Sequence, residues 1–532
     1  KESKLNDSYV LEINDAKDFA YIYTLANNNS FFASKDVTYY LKNDIDLSEV
    51  PSNSYAYDDF FSAKIIGNTN VAASINVSNG SVNGVTIYNF VINNTIAYSG
   101  FECYGLFPLF DGTIENVNFY VSDTINNINS FNSSLPTKAI GLVCGINEGG
   151  SITNVRTYGN ISFNSNMGRY YAGGAIGIMS RNASISMLTT NGSIIGTTDL
   201  AVASTFSSTA SGYVDGVALG GVIGYSEATS LSIKDTLSKM SLTSSIYSNV
   251  VTNYYIGGIV GCGYFNEVNG LFYKGTITNI LSTSFNSMYC AGVIGDVLGT
   301  KNSILSLHNQ GDINITTNSA SPKINISGVI NVNIQSDSKL KEFYGNNYAN
   351  GGTISYTNTN TSPSVAGNIS GVIFVDGSTK FKSNLVGIYN LGYHYNDSYA
   401  PTVNTKEDNL DASSYIYYAS CLLSTATSDD SLITLTRAYN FRDLNFVTTK
   451  TISNTAAILK LSGVVAGKYI TLNEIYNEGN ISFNISNNIS LKRIIIIGAI
   501  EEVSKGSYAY NLYNGGNINI YISSSSTLSS LS

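Results

Sequence analysis

The chain has 532 residues, more than one compact core usually holds, so it forms either several domains or one elongated repeat array. Charged residues make up 12% and hydrophobic residues 43% of the sequence, which excludes an intrinsically disordered chain. The net charge is −9 and the arginines form no cluster, which argues against nucleic acid as a partner, because such binding requires a basic stripe.

The first sixty residues differ from the rest and predict a cap. Asn14 or Asp15 can cap the N-terminus of a helix, and the asparagines at 27–29 end it. A strand that enters a turn is predicted at 37–47. The apolar residues of the helix share one face: Ala16, Phe19, Ala20, Tyr23 and Ala26. We therefore predict a cap over residues 1–60, whose helix covers the open edge of a repeat array.

Further along the chain, two short units recur in pairs. The first is an apolar pair or triplet that begins with glycine and usually ends with one: 141–145, 174–177, 221–224, 258–261, 292–295, 328–330, 371–373, 463–465 and 498–500. The second places glycine shortly before isoleucine, as Gly159 follows Gly141 and Gly311 follows Gly292. A degenerate copy of the first unit is expected near 419–423. Such a period is typical of solenoid proteins.

These repeats predict an all-β fold, a right-handed parallel β-helix over residues 61–532. We interpret each unit as a strand whose isoleucines and valines stack on their counterparts in the next coil. Glycine is expected to supply left-handed turns and close backbone approach, and asparagine to form ladders. Coils of about 18 to 20 residues, rising about 4.8 Å each, give a rod on the order of 100 Å long. Loop insertions are predicted near 197–213 and 391–414.

The cysteines and the apolar runs argue against two further classes of protein. The five cysteines are widely spaced and never CxxC, so we interpret them as buried thiols rather than a zinc site or a disulfide framework. A single long-range disulfide is the alternative. The longest apolar run, 494–500, is far shorter than the roughly 20 residues of a transmembrane helix, so no membrane-spanning segment is predicted.

Several segments near the start of the chain follow one known pattern in order: 13–19, 25–31, 41–47, 64–67, 83–90, 104–107, 112–117 and 150–155. They resemble the opening of bacterial GLUG-motif β-helix surface proteins, and the resemblance covers residues 10–320 best. It implies a secreted or surface-displayed, adhesin-like protein. The chain departs from the pattern at Ala63 and Lys64, where the family often has tryptophan. It also lacks the His-Glu-x-x-His motif of surface peptidases with such repeats.

Few side chains offer catalytic chemistry. The two histidines are His308 and His394, and we interpret His308 as a stacked side chain because sister repeats carry Tyr or Thr there. A lyase or glycosidase would need paired carboxylates about 5 to 9.5 Å apart, or a calcium-bound carboxylate cluster. Asp296 and Asp312 are expected to be isolated. We therefore predict no catalytic residue, no metal ligand and no cofactor.

The strongest binding candidate is the 391–414 insertion, because aromatic and polar side chains on a rigid scaffold favour recognition. Its candidate residues are Tyr393, His394, Tyr395, Asp397 and Tyr399. The alternative is a solvated loop. The 39 tyrosines also have two interpretations. Stacked structural ladders are favoured over exposed rows that bind glycans.

Together these features predict a non-catalytic extracellular or cell-surface module, structural or adhesive, that presents a rigid rod. The expected partners are surface glycans or proteins of a host or neighbouring cell, or further copies of the chain. The alternative is a carbohydrate-active β-helix enzyme of the polysaccharide lyase or glycosidase type. Three carboxylates that converge in one cleft would favour the enzyme.

Overall fold

A computed structural model of the chain describes most of its strands. The residues described are 2–5, 8–71, 76–77, 80–81, 84–92, 95–125, 137–163, 169–198, 216–227, 232–246, 253–281, 287–300, 303–318, 324–334, 342–359, 367–377, 382–391, 403–407, 416–427, 432–448, 458–466, 470–485, 490–491, 493–499, 508–522 and 527–528. They form an all-β parallel solenoid with one small helix near the N-terminus, which is the predicted fold class.

The cap helix spans Ala16–Asn28, as predicted. Its N-cap is Asp15, whose Oδ1 accepts hydrogen bonds from the backbone N–H groups of Lys17 and Asp18, each at 2.9 Å. The predicted apolar face is buried, together with Ile22. Three short 3₁₀ helices follow at Ser30–Ala33, Leu47–Glu49 and Ser52–Tyr55.

The strands form one large and two smaller sheets, besides two short strand pairs, Asn76–Val77 with Gly80–Ser81 and Ser490–Leu491 with Thr527–Leu528. The ten-stranded sheet contains Leu109–Phe110, Cys144–Glu148, Ile176–Ser180, Ile223–Ser226, Val260–Phe265, Ile294–Thr300, Ile330–Ile334, Ile373–Gly377, Leu423–Thr427 and Val465–Ala466. The twelve-stranded sheet contains Thr95–Tyr98, Phe101–Tyr104, Thr137–Ile140, Arg169–Gly173, Gly216–Gly220, Asn253–Gly257, Ser287–Ala291, Ile324–Ser327, Gly367–Ser370, Ile416–Ser420, Ile458–Ser462 and Arg493–Ile497.

The large sheet has 25 strands in two columns that share three long strands, Ser151–Phe163, Ser184–Thr198 and Ser232–Ile246. The remaining strands of the first column are Glu2–Leu5, Ser8–Ile13, Val37–Leu41, Lys64–Gly67, Thr113–Glu115, Glu267–Tyr273, Ile304–Asn309, Glu342–Asn350, Lys382–Asn390, Leu432–Asn440, Ile470–Asn477 and Ala509–Asn514. Ile45–Asp46, Val85–Tyr88 and the start of Val117–Ile125 continue the first column in register, and the end of Val117–Ile125 enters the second. The other strands of the second column are Thr276–Leu281, Asp312–Thr317, Ile354–Asn358, Val403–Glu407, Leu444–Thr448, Ile481–Ile485 and Ile518–Ile522.

Each coil passes once through every sheet, so the coil is longer and the rod shorter than predicted. Ile152 pairs with Ile185, 33 positions on, and Leu385 pairs with Leu435, 50 positions on. A coil is thus a whole repeat period rather than half of one. From Ser8–Ile13 to Ala509–Asn514 the first column has fourteen strands, which at about 4.8 Å each rise about 60 Å. The prediction is wrong because both glycine units belong to one coil.

Aliphatic side chains of equivalent strands stack in continuous columns inside the solenoid, as predicted. One column, fully buried, consists of Ile114, Ile152, Ile185, Ile233, Val268 and Ile304. A single apolar cluster runs from the cap to the last coils and includes such columns from all three sheets. No coil buries its own core face, so the stability of each coil comes from its neighbours.

The first glycine unit forms the corner between the two smaller sheets rather than a strand. In one coil this corner joins Ser287–Ala291 to Ile294–Thr300. A Cβ on Gly292 would lie 2.1 Å from the backbone oxygen of Gly328 and 2.4 Å from Cγ of Asn309. Close approach, not a left-handed φ, therefore requires glycine here. The degenerate copy is confirmed, because strands Ile416–Ser420 and Leu423–Thr427 flank the same corner.

A ladder of asparagines, most of them buried, lies against the glycine corners between the two smaller sheets, as predicted for turn asparagines. Four hydrogen bonds join successive amides, with N–O distances of 2.5 to 2.9 Å. Four of the amides, those of Asn309, Asn350, Asn440 and Asn477, also bond within their own coil to the residue two positions on, as Nδ2 of Asn309 donates to the oxygen of Gly311. The column consists of Asn309, Asn350, Asn390, Asn440, Asn477 and, at its exposed end, Asn514.

Each of the eleven coils from Thr113–Glu115 to Ala509–Asn514 also holds one residue with positive φ in the first column of the large sheet, where the strand bends. Most of these residues are not glycine, so the bend costs about 1 kcal/mol or more at each of them. The column consists of Asn116, Asn154, Met187, Asp235, Gly270, Ser306, Asn347, Gly387, Arg437, Glu474 and Asn511.

The structure differs from two predicted segment boundaries. Strands Ser8–Ile13 and Val37–Leu41 of the cap pair in parallel and continue to Lys64–Gly67, so the large sheet runs across residue 60. Within the predicted 391–414 insertion, Val403–Glu407 forms a second-column strand, so that segment is not one loop. Thr197 and Thr198 end the strand Ser184–Thr198, and residues 199–213 of the other insertion lie outside the described residues.

Candidate functional site

The predicted binding residues Tyr393, His394, Tyr395, Asp397 and Tyr399 all lie outside the described residues. The structure shows what stands beside that segment. Leu391 is partly exposed, and its N–H donates to the oxygen of Asn350 at 2.8 Å. The next described strand, Val403–Glu407, returns the chain to the second column.

Arg442 occupies the corner of the coil that follows this segment. In neighbouring coils the same corner carries Gly311, Gly352 and Gly479. The guanidinium of Arg442 donates to the backbone oxygens of Gly351 and Gly352, two coils earlier, at 2.7 and 3.1 Å. Burial lowers the pKa of Arg442, although its ordinary value is so high that it stays charged. The hydrogen bonds of Arg442 therefore connect the turn after Asn440 with the turn after Asn350, one on each side of the segment along the chain.

A row of half-exposed tyrosines lies on the outer face of the first column. Tyr389, Tyr439, Tyr476 and Tyr513 occupy one register position in four successive coils. Ring centroids of neighbours are 5.6, 6.2 and 4.5 Å apart, and two of the three pairs are nearly parallel. Phe441 packs beside Tyr439 and Tyr476. We call these four tyrosines the tyrosine row.

The stacking in the tyrosine row favours the structural interpretation of tyrosine enrichment. Sugars stack on open ring faces, but most faces here are covered by the next ring. Ring edges and hydroxyl groups are what the row presents to solvent. The hydroxyl of Tyr476 donates to Oε1 of Glu478 at 2.5 Å, and this carboxylate raises the pKa of Tyr476 to about 12. The phenol of Tyr476 is thus neutral at physiological pH.

His308 continues the column of the tyrosine row toward the N-terminus and stacks as predicted. Its ring centroid lies 6.1 Å from that of Phe272, nearly edge to face. Burial lowers the pKa of His308, so the imidazole is neutral at pH 7. Ala349 lies between His308 and Tyr389 in this column. The His308 ring therefore packs in the column as the tyrosines do in later coils.

The outer face of the second column is polar but almost uncharged. Hydrogen bonds connect successive coils there: Oγ of Ser193 donates to Oδ1 of Asn160, and the N–H of Asn517 donates to Oδ1 of Asn480, both at 2.9 Å. The next outward position carries exposed Ile195 in one coil and a half-exposed hydroxyl or amide in eight others, Ser162, Thr243, Thr278, Asn314, Ser355, Asn445, Ser482 and Asn519. We call these eight residues the neutral face.

The carboxylates do not form an open catalytic pair in the part of the chain that is described. No three His, Cys, Asp or Glu side chains come together there. Glu102 forms a buried ion pair with Lys138, whose ammonium also donates to the hydroxyl of Tyr104 at 3.2 Å. Asp296 is fully buried. Neither could contact a polymer without the sheets moving apart. Sequence patterns did not indicate the Glu102 pair, because its partners lie 36 positions apart.

The five cysteines are free and buried, as predicted. Burial raises the pKa of each thiol, including Cys144 and Cys290 in the core. Since the thiolate is the nucleophile and the metal ligand, these side chains act as small apolar groups.

No family model, no curated protein and no solved structure matches the chain. In the described ranges, no helix has the length and apolarity needed to cross a bilayer.

Proposed function

We propose that the chain is a non-catalytic module of an extracellular surface, structural or adhesive, which presents a rigid β-solenoid. The observation that carries this proposal is an outer surface whose aromatic and polar side chains largely contact one another. Ring faces in the tyrosine row cover one another, and polar groups beside the neutral face bond from coil to coil. A repeated surface of this kind suits many weak contacts along a rod better than one chemical centre.

The chemistry of the neutral face indicates the class of partner. Hydroxyl and amide groups at about 4.8 Å intervals offer hydrogen bonds without charge. Such a surface is compatible with neutral glycans, with polar protein surfaces of a host or neighbouring cell, or with another copy of the chain. The absence of an arginine cluster and the net charge of −9 disfavour anionic polymers.

A bead assay tests the proposal. Beads coated with the full chain are applied to a glycan array and to cells, while free chain is incubated with a polysaccharide panel and followed for new sugar ends. We expect attachment or filament growth without product release. Asn314→Lys with Ser355→Lys should weaken attachment at least tenfold, whereas Thr189→Lys, on the first column, should not. Product release that survives repeated purification would overturn the proposal in favour of an enzyme.

A further inference from the structure

Asp296 is the most anomalous side chain in the described residues. It is 0% exposed, and neither carboxylate oxygen makes a hydrogen bond of normal geometry. An ionised carboxylate in such a place is very costly unless a proton, a cation or strong donors compensate it. None of the groups that shift its pKa is a cation. Burial raises that pKa, and the nearby Asp376 raises it further.

The position of Asp296 in the fold explains why the site is unusual. Up to this coil, the ten-stranded sheet carries a glycine before each outward side chain, as in Gly261 before Cys262 and Gly295 before Asp296. The next coil lacks that glycine, and the pairing shifts between Ile294 and Val297. Asp296 thus lies where two coil geometries meet, and side chains there cannot stack on equivalent neighbours.

A second buried oxygen without a donor lies on the strand next to Asp296. Asn331 directs Nδ2 to the backbone oxygens of Gly295 and Cys290 at 2.7 and 3.1 Å. Its amide oxygen is buried and makes no hydrogen bond in the described part of the chain. Two residues on, Asn333 is nearly buried, and its side-chain amide and backbone N–H approach the Asp296 carboxylate as donors and lower its pKa.

The second carboxylate comes from the third strand of the junction. Asp376 pairs in register with Asn333 and is half-exposed, so it connects the buried group to solvent. From the facing twelve-stranded sheet, Tyr289 lies near both carboxylates, and both raise its pKa. Two carboxylates and the amide oxygen of Asn331 lie on three adjacent strands, and oxygen atoms are the ligands that hard cations prefer.

We propose that Asp296, Asn331 and Asp376 bind a calcium ion that joins three adjacent coils, while Asn333 orients the Asp296 carboxylate through its N–H groups. The ion compensates the buried carboxylate and uses the unpaired amide oxygen of Asn331. Without calcium, Asp296 must bind a proton instead. Two protein carboxylates predict a weak site, in the range of extracellular modules, about 10⁻⁴ to 10⁻³ M.

Terbium luminescence tests the site, because tyrosine sensitises bound Tb³⁺ and Tyr289 lies beside it. The full chain, treated with EDTA and dialysed, is titrated with TbCl₃ and then with CaCl₂ as competitor. We expect a saturable signal that calcium displaces. Asp296→Asn should weaken Tb³⁺ binding at least tenfold, and Asp376→Asn should weaken it as well. Asp443→Asn, on the outer face of the second column, is the matched control and should bind as the parent does.

Thermal unfolding of the same proteins supplies an independent measurement. Calcium should raise the unfolding temperature of the parent and of Asp443→Asn, and not that of Asp296→Asn. The proposal is overturned if luminescence is the same in Asp296→Asn as in the parent. It is also overturned if calcium leaves the parent unchanged while Asp296→Asn is more stable in EDTA, because the carboxyl then needs only a proton.

Discussion

The amide nitrogen Nδ2 of Asn440 donates a hydrogen bond to Oδ1 of Asn477, the equivalent residue of the next coil, at 2.7 Å. Oδ1 of Asn440 accepts from Asn390 at 2.9 Å and from the N–H of Arg442 at 3.1 Å. This buried amide therefore fixes its own coil on both neighbours and also closes the turn at Arg442.

Asn440→Ala should be strongly destabilising, because it removes the bonds to Asn390 and Asn477 and leaves the buried backbone N–H of Arg442 without its acceptor. We expect a loss of about 3 kcal/mol or more, from several lost bonds and their desolvation. Asn445→Ala, at a half-exposed amide of the neutral face, should change stability by less than about 0.5 kcal/mol. Urea unfolding followed by circular dichroism measures both. Equal effects would contradict the role of the ladder.

Lys138→Met should be destabilising by about 3 to 5 kcal/mol, because it leaves Glu102 buried and uncompensated. The Lys138 side chain is only 2% exposed. The double variant Glu102→Leu with Lys138→Met should recover most of the loss, since apolar residues occupy the equivalent positions in later coils. The same unfolding curves test this, and a double variant no better than the single one would contradict it.

Met187→Gly should stabilise the protein. Met187 is 50% exposed with φ at 53°, and Gly270 and Gly387 already occupy the same bend in other coils. Relief of the left-handed strain should contribute about 1 kcal/mol. Ser186→Gly, one residue earlier in extended strand, should instead cost about 0.5 to 1 kcal/mol. The unfolding midpoints should move in opposite directions, and a shared direction would refute the assignment of the bend.

Arg442→Gly restores the residue found in neighbouring coils, yet it should be destabilising. The guanidinium donates to Gly351 and Gly352. Its loss removes this donor from the partly buried oxygen of Gly351 and leaves that of Gly352 with the Asn350 amide alone, at about 1 to 3 kcal/mol. Arg442→Met keeps the aliphatic stem and should be destabilising for the same reason. Arg442→Lys keeps the charge and should lose less. Limited proteolysis between 392 and 402 should become faster in the Gly and Met variants, and unchanged rates would contradict the fastening role.

In EDTA, the stability of the parent should fall as the pH rises above about 4, because burial raises the pKa of Asp296. The folded state then holds the Asp296 proton more tightly than the unfolded state. This contribution is complete at acid pH and is lost progressively until the pH passes the raised pKa, at no more than about 1.4 kcal/mol per pH unit. Asp296→Asn should remove that slope. Unfolding temperatures from pH 4.5 to 8 give the comparison, and parallel curves would contradict it.

Local patterns predicted much of this fold. The cap helix follows from Asp15 and an apolar face, and the stacked columns follow from alternating Ile and Val. Even the degenerate corner at Cys421 was placed by counting periods. The coil length was not, because 17 to 19 positions between two glycines cannot distinguish a full turn from half of one.

The partners of the buried carboxylates Glu102 and Asp296 were harder to predict for a physical reason. The partners of Glu102 and Asp296 lie one or two coils away, across loops of different length. Their register therefore depends on strand pairing that no local window contains. Asp296 was expected to be isolated, and only the pairing of Asn333 with Asp376 shows the second carboxylate near it.

The most direct test of the stacked-coil account is a spin-label distance between Ser186→Cys and Asn473→Cys, both half-exposed on the outer face of the first column. The native cysteines are buried and should not label. These positions are seven coils apart in register, so we predict a narrow distribution near 34 Å, at about 4.8 Å per coil. A distance near 70 Å, which coils of half the length would produce, or a broad distribution, would contradict the account.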